Sequence, residues 1–340
     1  MAYQTVGVIG AGAWGTAIAE AARRAGRDVL LWAYEHDTVD EINNAHTNHI
    51  YLPGVTLDKG IRATTSAAEI GAMDIIVMVV PSQFFRTIAN EFAPHIGAKP
   101  VVICTKGFEG DGKMMSDVLS ETLPQALPAV MAGPSFAAEV ARGLPAALTL
   151  AAHDQTLGKN IVAALGSRSM RLYWTNDVLG VQLGGAVKNV LAIASGIVVG
   201  RKLGANAQAA LITRGFAEMM RFGIKLGARA ETISGLSGLG DLILTCSSTQ
   251  SRNMSLGVAL GEGKTLADVL SSRKSVSEGA HTAAAAVTRA RDMGVELPIC
   301  DAVRAVLARE VDIDEAMTAL LSRPFRSEVE NFYNLDKESV

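Results

Sequence analysis

The chain has 340 residues, 49% of them hydrophobic, 19% charged and 5% aromatic, with 33 glycines. That length exceeds what one ordinary hydrophobic core serves, so two domains are expected. A formal net charge of −3 without any basic block argues against a nucleic-acid partner, and Cys104, Cys246 and Cys300, far apart and without CxxC spacing, exclude a disulfide scaffold and a zinc knuckle, in keeping with a reducing, cytoplasmic setting.

Short runs rich in Val, Ile and Leu recur through the first half, at 5–10, 28–33, 74–80, 100–105, 129–133 and 146–151. They lack apolar/polar alternation, which is the pattern of strands buried on both faces in a parallel sheet covered by helices. Segments of helical length separate them, among them 13–25, 83–93 and 113–123. Strands alternating with helices predict a doubly wound α/β sheet. After Tyr173-Trp174-Thr175-Asn176-Asp177, where Asn176 or Asp177 is placed to cap a helix, no further strand is predicted. Helices are expected instead at 178–199, 206–226, 253–260, 266–271, 281–293, 300–309 and 313–321, where apolar residues often fall three and four apart.

The expected organisation is an α/β domain over residues 1–185 and an all-α domain over residues 186–340, with a long helix beginning near the junction. The apolar stretch 181–200 is interrupted by Gln182, Lys188 and Asn189, so it reads as a buried helix and no stable membrane insertion is expected. Residues 1–15 read as a strand turning into a helix, and no export signal is expected.

Gly10-Ala11-Gly12-Ala13-Trp14-Gly15 joins the first predicted strand to the first predicted helix. The first glycine allows a tight turn, the second lets the backbone approach a pyrophosphate, and the third lets helix and strand pack closely. The helix N-terminus adds free N–H groups and partial positive charge. With the second strand at 28–33, this is the arrangement of a Rossmann dinucleotide-binding unit. Glu35, twenty residues past Gly15, is placed to accept hydrogen bonds from the adenosine ribose and to repel a 2′-phosphate, so NAD is expected in preference to NADP. As plain structure, Glu35 would only open a solvated helix turn.

Ligands of such sheets bind beyond the carboxyl ends of the strands, where Lys106 and Gly133-Pro134-Ser135-Phe136 fall. Taken alone, Lys106 reads more readily as a surface lysine. Lys188 lies within Gly184-Gly185-Ala186-Val187-Lys188-Asn189-Val190-Leu191, where an ammonium must be paired, reach water, or serve chemistry. If a helix starts near Asp241, Thr245 shares its face, although Asp241 after Gly240 also suits a cap. Ser251-Arg252-Asn253 offers a guanidinium fork for phosphate, or else an N-cap beside a solvated arginine. The six histidines show no spacing that pairs two on one helical face, and no metal is expected.

Taken together, these strings, with Gly238-Leu239-Gly240-Asp241 and Glu278-Gly279, resemble bacterial NAD(P)-dependent sn-glycerol-3-phosphate dehydrogenases over nearly the whole chain. The resemblance implies reversible oxidation of sn-glycerol 3-phosphate to dihydroxyacetone phosphate, running physiologically towards the ester used in glycerophospholipid synthesis, in a cytoplasmic homodimer. It implies Lys188 as proton acceptor and Lys106, Gly133, Ser135, Asp241, Ser251, Arg252 and Asn253 as substrate-binding residues. It further implies coenzyme contacts at Trp14, Lys106, Ala137, Arg252, Val276 and Glu278. Ala13 and Tyr34 also fall at coenzyme positions; Ala13 stands where serine is frequent, and Tyr34-Glu35 replaces a pair that often contains Arg or His.

The mechanism expected from this set has Arg252 and Asn253 holding the substrate phosphate, Lys106 and Lys188 polarising the carbonyl, and Lys188 donating the proton, with Asp241 and Thr245 positioning it. A β-hydroxyacid or 6-phosphogluconate-type dehydrogenase shares the architecture, and a coenzyme-binding regulator without turnover is a rival of another class. The loop Ser251-Arg252-Asn253 discriminates against the first, and a lysine in an apolar setting against the second.

Overall fold

The computed structural model describes residues 3–271 and 278–324. The chain divides into two compact units, one comprising the residues up to Glu109 and Lys113–Gln182, the other Gly110–Gly112 and the residues from Leu183 onward.

The first unit is built on one eight-stranded sheet. Its strands are β1 (Thr5–Ile9), β2 (Asp28–Trp32), β3 (Ile61–Thr64), β4 (Ile75–Met78), β5 (Pro100–Ile103), β6 (Leu127–Ala132), β7 (Ala146–Ala151) and β8 (Met170–Thr175). Their spatial order is 3-2-1-4-5-6-7-8, so the winding reverses between β1 and β4, as in a doubly wound sheet. Neighbours along each strand point to opposite layers. Ile75 and Val77 pack with Ala17 and Ile18 on one face, while Ile76 and Met78 pack with Phe85 and Phe92 on the other. Helices cover both faces, which is why these strands read as unbroken apolar runs.

The sheet departs from the expected parallel arrangement at one place: β7 runs antiparallel to β6. The connection between them contains only the five-residue helix Ala137–Ala141. That helix spans about 7.5 Å, against about 20 Å for a six-residue strand, and does not return the chain along the sheet for a parallel crossover. β3 and β8 are further strands that hydrophobic runs do not reveal. Both are edge strands, and β8 is half-buried with Arg171 and Tyr173 exposed. The helix His36–Ala45 is similarly inconspicuous because it buries only Thr38 and Ile42.

In the second unit no strand occurs among the described residues. The 23-residue helix Val178–Gly200 begins in the first unit and runs on into the second. Asp177 caps it, Oδ1 accepting from the Gly180 amide at 2.8 Å. Its length and mean hydropathy of 1.6 suit a membrane span, but 89% of its most apolar window is buried in the chain's own packing. Gly196 and Gly200 let the helix Arg252–Gly261 cross against it at backbone contact. A Cβ at Gly196 would stand 2.1 Å from the Met254 carbonyl oxygen, and one at Gly257 would stand 2.0 Å from that of Ile193.

The helix Pro298–Leu307 lacks a local cap, because Leu297 precedes it and offers no side-chain acceptor. Glu218, from the helix Ala205–Leu226, supplies one. Its carboxyl oxygens accept from the amides of Ile299 at 2.7 Å and Cys300 at 3.2 Å. Burial dominates its titration and pushes the carboxyl up to about 7, although both amides and Arg221 favour the charged form. The unfolded carboxyl therefore ionises first as pH rises, and stability present below about pH 4.5 is lost up to about pH 7, to the extent of about 3 kcal/mol. Thermal melts should fall over this interval in the native chain, and Glu218→Gln should flatten the fall; equal slopes would remove the assignment.

Candidate active site

The glycine turn leads from β1 into the helix Ala13–Arg24. Gly10 has φ +110° and presses on the Val79 carbonyl, where a Cβ would stand at 2.8 Å. A Cβ on Gly15 would stand 1.8 Å from the Gly10 carbonyl oxygen, so a larger residue would force helix and strand apart. Gly12 differs, having nothing within 4 Å of its Cβ position. Its missing side chain leaves the backbone open to a ligand, and no side chain caps the following helix. Trp14 Nε1 is buried without a hydrogen-bond partner. An open backbone and an uncapped helix N-terminus fit a dinucleotide pyrophosphate.

Asn48, buried and not distinguished in the sequence, fixes the turn by donating to the Ala11 carbonyl at 2.8 Å and the Thr16 hydroxyl at 2.9 Å. Tyr34 and Glu35 follow β2 and are exposed. Glu35 precedes the helix His36–Ala45 without capping it; its Oε1 accepts from the Tyr51 hydroxyl at 3.0 Å. Half-buried Lys106 lies just beyond β5, after Thr105, whose hydroxyl donates to the Val80 carbonyl at 2.7 Å beyond β4. Gly133, with φ +151°, follows β6, and the Ser135 hydroxyl donates to its carbonyl at 2.9 Å. Ala137 opens the short helix after it. The first unit thus gathers Gly10–Gly15, Tyr34, Glu35, Lys106, Gly133, Ser135 and Ala137 at the carboxyl ends of β1, β2, β5 and β6.

In the second unit, Lys188 is only 5% exposed and Asp241 1%. Lys188 Nζ donates to Asp241 Oδ1 at 2.6 Å and to Thr245 Oγ1 at 2.9 Å. Asp241 and Thr245 share a face of the helix Asp241–Cys246, one turn apart. The Thr245 hydroxyl donates to the Asp241 carbonyl at 2.6 Å, leaving its oxygen lone pairs towards the ammonium. Gly184 makes this approach possible, since a Cβ there would stand 2.6 Å from the Ser237 carbonyl oxygen. Neighbouring Cys246 is not a nucleophile at neutral pH: burial pushes its thiol up to about 12, Lys188 opposing and Asp241 adding to the shift.

Ser251 caps the helix Arg252–Gly261, its hydroxyl accepting from the Met254 amide at 3.2 Å. Arg252 is exposed and Asn253 buried. Asn253 Oδ1 accepts from the Gly279 amide at 3.1 Å. A Cβ on Gly279 would stand 2.7 Å from the Asn189 carbonyl oxygen and 2.8 Å from Asn253 Oδ1, so this glycine brings the neighbour of Lys188 and the start of the helix Arg252–Gly261 together. Val276 lies outside the described residues. Glu278 begins the helix Glu278–Asp292. Asn189, next to Lys188, is not assigned to the site from the motifs: its Nδ2 is buried without a hydrogen-bond partner, and its signal in the sequence is an amide inside an otherwise apolar helix.

The family model for the NAD-dependent glycerol-3-phosphate dehydrogenase N-terminus matches residues 5–158, and that for the C-terminus matches residues 177–318. The chain belongs to this dehydrogenase family. It is 55% identical over 330 residues to a glycerol-3-phosphate dehydrogenase [NAD(P)+] of Parvibaculum lavamentivorans, covering 96% of this chain and 99% of the relative. A protein of the same name from Caulobacter vibrioides is 54% identical, with 96% and 100% covered. The crystal structure of glycerol-3-phosphate dehydrogenase from Coxiella burnetii superposes with a TM-score of 0.90 at 38% identity, covering 94% of this chain and 99% of that one. Within the family frame, the glycine turn and strands β1 to β7 fall in the N-terminal model and the Lys188 cluster in the C-terminal one, with β8 between the two.

Proposed function

We propose that the chain catalyses reversible reduction of dihydroxyacetone phosphate to sn-glycerol 3-phosphate. The observation that carries this reading is the buried ammonium of Lys188, held by Asp241 and Thr245 in a chain of this dehydrogenase family. NADH or NADPH, held at the glycine turn and the start of the helix Ala13–Arg24, would supply the hydride when bound. Lys188 Nζ donates the proton to the resulting oxygen and takes it back in the oxidation direction. Asp241 stabilises the charged ammonium and, with Thr245, aims it, while Lys106 adds positive charge towards the carbonyl.

Arg252, Asn253 and the first amides of the helix Arg252–Gly261 bind the phosphate, with Ser251 holding that helix start in place. Gly133 and Ser135 complete the substrate contacts, and Asn189 Nδ2 adds a buried donor. Gly10, Gly12, Ala13, Trp14, Gly15, Tyr34, Glu35, Lys106, Ala137, Arg252, Val276 and Glu278 serve the coenzyme. Residues 1–185 form the coenzyme-binding domain and 186–340 the substrate and dimerisation domain of a cytoplasmic homodimer that supplies glycerophospholipid synthesis.

Glu35, steadied by Tyr51, favours NAD by accepting from the ribose hydroxyls and repelling a 2′-phosphate. The test is oxidation of NADH and of NADPH with dihydroxyacetone phosphate, alongside a panel of oxo acids. The expected result is turnover with dihydroxyacetone phosphate, a kcat/KM about tenfold higher for NADH, and reversal of that preference in Glu35→Ser. Turnover with an oxo acid alone would replace the substrate assignment, and coenzyme binding without any turnover would make the chain a sensor. Equal kcat/KM for the two coenzymes would remove the role of Glu35.

A further inference from the structure

Ser195 lies at i+7 from Lys188 on the same face of the same helix, about two turns and about 10 Å along its axis. It is fully buried, and its hydroxyl donates to the carbonyl oxygen of Cys246 at 3.0 Å. Gln208, from the helix Ala205–Leu226, donates from Nε2 to that same carbonyl at 3.0 Å and to Ser195 Oγ at 3.1 Å. Cys246 is the last residue of the six-residue helix that carries Asp241 and Thr245. The carbonyls of a last helical turn have no partner within their own helix, and a helix this short does not hold its place unaided. The short helix is therefore held at both ends: Lys188 takes Asp241 and Thr245, and Ser195 with Gln208 of the neighbouring helix takes the terminal carbonyl.

We propose that Ser195 and Gln208 are positioning residues of the reaction, holding the Cys246 carbonyl so that Asp241 and Thr245 meet Lys188 Nζ at hydrogen-bonding distance. The proposal rests on the assignment of Lys188 as proton donor. Ser195→Ala and Gln208→Met each leave one donor on the carbonyl, and the double variant removes both. The single variants should lose about threefold in kcat and the double variant about thirtyfold, with the KM for dihydroxyacetone phosphate and the Kd for NADH within about twofold of the native values. Amide exchange at residues 243–247 should accelerate about tenfold in the double variant, and that of the helix Arg252–Gly261 should not.

Native kcat in the double variant overturns the proposal, as does a fall in kcat accompanied by equal losses in NADH binding, which would mark general damage. If the double variant does not fold, the single variants decide in the same way, native kcat in both counting against it. If the native chain does not reduce dihydroxyacetone phosphate, the assignment of Lys188 falls separately. Exchange at 243–247 then still judges the grip on the carbonyl, and unchanged rates overturn it.

Discussion

Lys188→Met is expected to lower kcat by about three orders of magnitude while NADH still binds, because a general acid placed at the reacting oxygen contributes about 10²–10⁴ in rate. Methionine retains most of the side-chain volume, so the change removes charge and proton without opening a large cavity. It also removes the ammonium that pairs at 2.6 Å with the Asp241 carboxylate, which is 1% exposed. Removing one partner of a buried ion pair costs about 3–5 kcal/mol. Two effects are thus superimposed in the single variant, and a second substitution separates them. Lys188→Met with Asp241→Asn should recover most of the lost stability in urea unfolding and none of the activity. Near-native turnover in either variant would end the assignment of Lys188 as proton donor. Recovery of turnover together with stability would make the pair structural.

Gly196→Ala should be among the most damaging single methyl additions in the helical unit. The new Cβ would meet the Met254 carbonyl oxygen at 2.1 Å and Gly257 Cα at 2.8 Å, both backbone atoms of the crossing helix. No rotamer change relieves such an overlap, so the helices must separate, at a cost of about 3 kcal/mol. The displaced helix begins with Arg252 and Asn253, so the KM for dihydroxyacetone phosphate should rise as well. Gly215→Ala is the matched control, since its nearest neighbour is the Cδ2 tip of Leu191 at 2.7 Å, which can rotate away. Thermal unfolding of both variants checks the contrast, and an equally mild effect at Gly196 would mean that the helices do not cross at backbone contact.

The parts of the molecule legible in the sequence are those where a local rule forces residue type. The glycine turn is one, because tight turn, open approach and close packing each demand the absence of a side chain at a fixed spacing. The pairing of Asp241 with Thr245 is another, since helix periodicity alone puts them on one face. Lys188 drew notice as a charge inside an apolar run, and its geometry explains how it is tolerated there: both partners lie on another helix. Features set by distant neighbours stayed hidden. Edge strand β3 is four residues long and carries Arg62 and Thr64, and edge strand β8 is half-buried, so neither shows a continuous apolar run, and the direction of β7 follows from the length of a connection rather than from the strand's own residues. Glu218 reads as one more surface glutamate until the uncapped helix start at Ile299 and Cys300 is seen beside it. Ser195 and Gln208 likewise acquire meaning only from the Cys246 carbonyl that they share.

The long helix Val178–Gly200 acts as the ruler of the second unit. Gly184, Lys188, Ser195, Gly196 and Gly200 are graduations on it, each read by a different neighbour. Substituting its lipid-like residues for others of similar bulk leaves those graduations where they are. Inserting or deleting one residue between Lys188 and Ser195 rotates everything beyond by about 100° and slides it by about 1.5 Å, moving the hydroxyl and both crossing glycines off their faces at once. Away from these five positions the helix is therefore free to exchange apolar residues of similar bulk, whereas its length is fixed.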